Sequence, residues 1–250
     1  MTGWLCLVGL GPGGPGLVTP EATAALDAAT DLVGYGPYVD RVPARPGLRR
    51  HATDNRVELD RARHALEMAA AGARVAVVSA GDAGVFGMAS AVFEAMEAGP
   101  LAWRALDVRV LPGVSAMFAV AARLGAPLGH DFCAISLSDN LKPWDTVAAR
   151  LRAVAAAGFV IALYNPISRA RPWQLGQAFA LLREVLPGTV PVVFATAATR
   201  ADERIVLATL KDAQPAQADM RTLVLIGTAA TRLVDRPGMR PFLYAPRHAA

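Results

Sequence analysis

Cysteine, histidine and lysine are scarce in this 250-residue chain: two Cys, four His, and Lys only at 142 and 211. Cys6 and Cys133 both lie in apolar, strand-like runs. That placement reads as buried free thiols in a reducing cytosol, not as a disulfide framework. No metal ligand set is assigned, and no Ser-His-Asp or Cys-His constellation can be placed for nucleophilic catalysis. Long apolar runs are also missing. None reaches the roughly 18 uncharged residues of a membrane-spanning helix, and the longest candidate is Ala153 to Leu163. The first apolar stretch follows no basic segment and ends in glycines, so no signal peptide is expected. The high apolar fraction of 54% and mean hydropathy of +0.34 come largely from Ala and Val. The net charge of +4 is carried by dispersed Arg, with no basic run interleaved with aromatics, which argues against a nucleic-acid partner. Arg does grip carboxylates in a bidentate manner better than Lys.

What is present is alternation. The length suits one large domain or two modest ones, and strand-like runs alternate with helical patterns from end to end. This predicts an α/β architecture with mixed, largely parallel sheets. A first strand over Trp4–Leu10 leads to a glycine-rich turn, and Thr19-Pro20-Glu21 opens a helix as cap, first-turn proline and dipole-favoured acid. A second strand covers Asp31–Tyr35. Residues 36–54 lack periodicity and read as a long exposed loop. Leu59, Ala62, Leu66 and Ala69 give helical spacing within 55–71. Further strands are expected at Arg74–Ser79, Val108–Leu111, Phe132–Leu137, Phe159–Tyr164, Val190–Ala195, Arg204–Ala208 and Leu223–Ile226. Helices fill the gaps at Gly87–Glu97, Ser115–Leu124, Trp144–Ala156 and Trp173–Leu186. The pattern restarts near Pro112, which places two domains at 1–112 and 113–250.

Four turns carry the chemistry. Gly9-Leu10-Gly11-Pro12-Gly13-Gly14 satisfies GxGxxG after a strand. In a dinucleotide site the last glycine already lies in the helix and the second strand ends in a ribose-binding acid. Here the helix waits until Thr19, and the second strand ends in Gly34-Tyr35-Gly36. Ser79-Ala80-Gly81-Asp82-Ala83-Gly84-Val85-Phe86-Gly87 is a second glycine-rich turn, whose Asp82 suits a cationic or hydroxyl-bearing ligand or caps the next helix. Pro112-Gly113-Val114-Ser115-Ala116 opens a helix, and Leu163-Tyr164-Asn165-Pro166 ends a strand in a turn.

Taken in order, these turns resemble those of the tetrapyrrole-methylase family, over roughly Leu5 to Gly227. The segments Ser136–Trp144, Leu163–Arg169 and Gly34–Tyr38 are similar to the branch of the family that methylates a precorrin carbon and contracts the macrocycle in cobalamin biosynthesis. The resemblance implies a two-domain fold with S-adenosylmethionine in an inter-domain cleft, a tetrapyrrole (precorrin) substrate, and a homodimer. It also implies cofactor-binding positions at Pro12, Ala80, Gly81, Asp82, Val85, Ser115, Ala116, Asn165 and Ala198. The family often has Asp where this chain has Gly14, so no role of that carboxylate carries over.

Methyl transfer from a sulfonium to an electron-rich carbon needs alignment more than a strong base. Ring contraction adds proton transfers, for which Asp82, Tyr164, Asp139 and His51 are the candidates. A precursor ringed with carboxylates makes Arg41, Arg45, Arg169 and Arg171 candidate substrate clamps, together with Arg49 and Arg50. The alternatives are a cobalt-containing precorrin or another tetrapyrrole as acceptor, an NAD(P)-linked oxidoreductase, and a non-catalytic corrinoid-binding module.

Overall fold

The computed structural model describes residues 3–54 and 57–248, so the start of the helix expected at 55 lies outside the described residues. The chain divides into two compact units, the first ending at Ser115 and the second beginning at Ala116.

The first unit contains β1 (Trp4–Gly9), α1 (Pro20–Ala28), β2 (Asp31–Tyr35), α2 (Gly36–Val39), β3 (Arg49–Thr53), α3 (Glu58–Ala70), β4 (Arg74–Ser79), α4 (Met88–Ala98) and β5 (Asp107–Leu111). Its sheet runs β3-β2-β4-β1-β5, and every pairing is parallel. A sheet covered on both faces needs apolar residues at successive positions, and β1 supplies them. Leu5 and Leu7 pack with α3 and α4, while Cys6 and Val8 face Ala22, Leu32 and Val39. Each such Leu or Val contributes about 1.5–3 kcal/mol by leaving water. Thr19 caps α1, its hydroxyl accepting from the Ala22 amide at 3.2 Å, with Pro20 in the first turn. Because all strands are parallel, their carboxyl ends share one edge, and three glycine-bearing turns gather there.

The expected loop over 36–54 instead holds α2 and β3. β3 is an edge strand with β2 as its one neighbour, and its Arg49, Arg50 and His51 are polar. Nothing in such a strand alternates apolar with polar, which is the signal a half-buried strand leaves.

The second unit contains α5 (Ala116–Leu124), β6 (Gly125–Ala126), β7 (Phe132–Ser136), α6 (Trp144–Ala156), β8 (Val160–Tyr164), α7 (Gln174–Val185), β9 (Pro191–Thr196), β10 (Arg204–Thr209), β11 (Thr222–Ile226), β12 (Arg232–Arg236) and β13 (Met239–Tyr244). The main sheet runs β10-β9-β11-β8-β7; β7 and β8 are parallel, and the other pairings are antiparallel. Short connections such as the one between β9 and β10 permit only antiparallel neighbours. Since β11 is antiparallel to both β8 and β9, those two strands and β7 point the same way, so Ser136, Tyr164 and Thr196 end at a common edge. Phe179 of α7 and Phe194 of β9, both fully buried, meet edge to face at 5.9 Å in the core. A small third sheet, β12-β13-β6, has no counterpart in the sequence reading.

Candidate functional site

In the first unit the turns after β1, β4 and β5 are locked together through backbone. Gly11 and Gly81, both in the left-handed region at φ +66°, exchange hydrogen bonds: the Gly11 amide donates to Gly81 at 3.0 Å and the Gly81 amide donates back at 2.9 Å. A Cβ on Gly113 would stand 2.2 Å from the Gly81 carbonyl oxygen and 2.8 Å from the Gly9 Cα. These chains can approach only without side chains. Asp82 completes the lock. One carboxylate oxygen accepts from the Gly84 amide at 2.7 Å, the other from the Gly113 amide at 2.9 Å. Pro12, Ala80, Gly81, Asp82, Val85 and the buried Ser115 are therefore brought to one edge, with Ala80, Asp82 and Val85 half-buried.

The corresponding edge of the second unit carries Ser136–Asp139, Tyr164–Asn165 and Thr196–Thr199. The Asn165 side-chain amide donates to the Ser136 hydroxyl at 2.9 Å. The Tyr164 hydroxyl accepts from the Met117 amide at 3.1 Å, holding the first turn of α5, and with it Ala116, beside the end of β8. Backbone strain concentrates at these turns. Phe86, Asn165, Ala197 and Thr199 take φ of +52°, +51°, +52° and +66°. Left-handed backbone costs a residue with a Cβ roughly 1–2 kcal/mol, and such strain collects at ligand sites. Phe86 follows Val85, Asn165 is itself a predicted cofactor residue, and Ala197 and Thr199 flank the buried Ala198.

The Arg candidates divide. Arg41 donates to the carbonyls of Leu10 at 2.6 Å and Gly11 at 3.0 Å, bracing the first turn. Arg45 donates to the Leu26 carbonyl at 2.9 Å and to that of Ala29. Those carbonyls end α1 just before β2 begins, so Arg45 lies at the opposite edge of the sheet from the glycine turns. Arg49 joins it there, gripping the fully buried Asp31 through two 2.8 Å bonds, while Arg50 donates to the Val39 carbonyl. In the second unit Arg171 donates to the Asn165 carbonyl at 3.3 Å, and Arg169 is exposed.

The acid–base candidates divide as well. His51, on the edge strand, bonds Asp31 at the start of β2 at 2.9 Å, away from the carboxyl ends of the strands. Arg49 is the chief reason that the Asp31 carboxyl lies well below the usual carboxylate range; His51 and Thr30 add to the effect, and burial opposes it. Asp82 commits both oxygens to backbone, and the Tyr164 hydroxyl supports α5. Asp139 accepts from the Gln174 side-chain amide at 3.0 Å through one oxygen. Burial pushes the Cys133 thiol up to about 11; for Cys6 burial does the same, partly opposed by Arg109. Neither thiol is a nucleophile near neutrality. The sequence reading missed Ser136 and Gln174. Gln174 is 1% exposed, and its signal was a polar residue on the stripe shared with Leu175 and Ala178.

An α/β protein whose glycine turns and strained residues gather at strand carboxyl ends belongs to the class that binds small ligands there. The profile of the tetrapyrrole (corrin/porphyrin) methylases matches residues 5–214, and the chain belongs to that family. It is 58% identical over 250 residues to a precorrin-3B C(17)-methyltransferase of Sinorhizobium sp., covering 100% of this chain and 98% of that protein. The crystal structure of the methyltransferase CobJ superposes with a TM-score of 0.94 at 56% identity, covering 98% of this chain and 100% of that one. A uroporphyrin-III C-methyl transferase of Thermus thermophilus, complexed with S-adenosyl homocysteine, gives 0.69 at 25% identity, covering 90% and 97%.

Proposed function

We propose that this chain transfers the methyl group of S-adenosylmethionine to C17 of precorrin-3B, with contraction of the macrocycle, giving precorrin-4 in cobalamin biosynthesis. One observation carries the reading: the likeness to a relative of that name is continuous over the whole chain. The geometry supports it independently. The first glycine turn leads into a short turn at Pro15–Leu17 before α1 begins at Pro20, and β2 ends at Tyr35 without an acid. Both features disfavour the dinucleotide alternative.

The residues fit the cofactor. The glycine backbone at Gly9, Gly81 and Gly113 packs on itself and fixes the three turns against one another. The polar atoms at that edge are hydroxyls, amides and one carboxylate, donors and acceptors suited to the ribose and amino-acid parts of the cofactor. Pro12, Ala80, Gly81, Asp82, Val85 and Ser115 of the first unit, and Ala116, Asn165 and Ala198 of the second, are assigned to hold it. When bound, it supplies an electrophilic sulfonium methyl. The tetrapyrrole carbon is the nucleophile, so the protein's work is alignment, which by itself is worth up to roughly 7–11 kcal/mol of the barrier. Asp82 keeps the second and third turns in register, and Arg41 keeps the first. Arg169 and Arg171 are assigned to substrate carboxylates; Arg41 and Arg45 serve their own backbone. The reading includes a homodimer in a reducing cytoplasm. Its supports are two free thiols and the exposed cross-strand pair Val234 and Phe242 of the β12–β13 hairpin, apolar surface of the kind that subunit contacts cover.

The test is anaerobic incubation with methyl-labelled S-adenosylmethionine and precorrin-3B, metal-free and cobalt-containing in parallel. Mass and NMR should show one labelled methyl at C17, with the metal-free form preferred. Label at another carbon, or thermal stabilisation by NADH and not by S-adenosylmethionine, defeats the reading.

A further inference from the structure

Two segments of the second unit, 137–143 between β7 and α6 and 165–173 between β8 and α7, are joined at their far ends. Trp144 and Trp173 meet edge to face at 5.0 Å, and Gln174 reaches from the start of α7 to Asp139. Gln174 is 1% exposed, and its side-chain oxygen accepts no hydrogen bond among the described residues. A buried amide with an unmet acceptor is destabilising, whereas a methionine would fill similar volume without that cost. Its orientation is determined: turning the amide over would set its oxygen against the Asp139 carboxylate. What the glutamine secures is therefore the position of Asp139.

Asp139 differs from the other acid–base candidates in what it retains. Asp82 commits both oxygens to backbone amides, His51 is held by Asp31 away from the site edge, and Tyr164 supports α5. Asp139 uses one oxygen on Gln174, and the half-buried carboxylate keeps its second oxygen uncommitted among the described residues. Lys142 is near enough to feel its charge. Burial and Arg150 draw the Lys142 ammonium below its ordinary range, while Asp139 works in the opposite direction.

We propose that Asp139 is the residue of the second unit that accepts a hydrogen bond from an N–H or O–H of the tetrapyrrole, and that Gln174 is its positioning residue. The inference rests on the methyltransferase reading above. Three variants test it, each compared with an active wild type: Gln174→Met, Asp139→Asn and Gln174→Glu. The measurements are kcat/KM for precorrin-3B, calorimetric affinity for S-adenosyl homocysteine, and thermal melting. Gln174→Met should melt at or above the wild-type temperature and bind S-adenosyl homocysteine within twofold, yet lose at least tenfold in kcat/KM. Asp139→Asn should lose as much, and it decides the matter even if the buried variant does not fold. Gln174→Glu sets two carboxylates against each other, and such a pair shares a proton. Its activity relative to wild type should be low at pH 8 and recover as the pH falls toward 6. Wild-type kcat/KM in Asp139→Asn, or in a folded Gln174→Met, or a pH-independent ratio for Gln174→Glu, overturns the proposal. A wild type that transfers no methyl group overturns instead the functional reading on which it rests.

Discussion

Asp82 is the residue on which a structural and a catalytic role make opposite predictions. Its two oxygens accept from the Gly84 and Gly113 amides at 2.7 and 2.9 Å. Asp82→Asn keeps the size of the side chain but replaces one acceptor with a donor. The local bond to Gly84 spans two residues and survives with the remaining oxygen, so the new amide faces the Gly113 N–H. A hydrogen bond to a charged group is worth about 1.5–3 kcal/mol. Asp82 is half-buried, and water recovers part of the loss, so the expected cost is about 2 kcal/mol, or about 4–8 °C in melting temperature for a chain of this size. Gly113 packs directly on the Gly81 carbonyl, so the displacement reaches the second turn and should weaken S-adenosyl homocysteine binding about tenfold. The shape of the pH–rate profile should not change. Thermal melting, calorimetry and that profile together decide the matter. A variant that melts with wild type, binds S-adenosyl homocysteine normally and loses one limb of the profile refutes the structural role and makes Asp82 the base.

Three further outcomes are expected. Gly113→Ala should cost about 3 kcal/mol, the upper range for forced overpacking, since its Cβ would stand 2.2 Å from a backbone oxygen; a urea midpoint equal to wild type would contradict the close-packed turns. Arg169→Ala should weaken tetrapyrrole binding about tenfold, as loss of one charge-assisted bond does. S-adenosyl homocysteine affinity should stay put, and equal loss of both ligands in calorimetry would remove Arg169 from the substrate assignment. Asp31 has a depressed folded pKa, so its bonds to Arg49, Thr30 and His51 stabilise fully above the ordinary carboxylate pKa of about 4 and are lost as pH falls below it. Asp31→Asn should therefore be less stable at pH 7 by about 2–3 kcal/mol, since the released Arg49 is largely exposed and resolvates. The gap should close toward pH 2, and a pH-independent difference in urea midpoint would refute the linkage.

How far the fold was legible follows from where each residue's information lies. Strands buried on both faces, such as Leu5–Val8 and Val75–Val78, announce themselves as continuous apolar runs. The capping triplet at Thr19–Glu21 likewise marks the start of α1 at Pro20. β3 did not announce itself, because an edge strand held by Arg49 and His51 to a buried Asp31 derives its stability from a neighbour 18–20 residues away. The β12–β13 hairpin was equally silent; Leu233, Val234 and Phe242 are exposed, so no one-sided burial imposes a regular pattern on them.

The site shows the same division more sharply. Glycines at strand ends are visible in sequence because one residue type meets the backbone requirement, and the turns that hold Gly9, Gly81 and Gly113 stand out for that reason. The second unit meets the same requirement with strain: Asn165, Ala197 and Thr199 take left-handed backbone that no composition rule predicts for Ala or Thr. Charge is harder to read. Arg41 and Arg45 look like clamps for an anionic substrate because a sequence shows a cation without its partner, whereas the structure gives each of them backbone carbonyls 16–31 residues away as partners. Gln174 is silent for the opposite reason, since an uncharged residue inside a helical stripe draws no notice. Its single bond to Asp139 takes one carboxylate oxygen and leaves the other, which is the ground for the proposal above. At such a site the informative quantity is which hydrogen-bonding capacity the fold has left unspent.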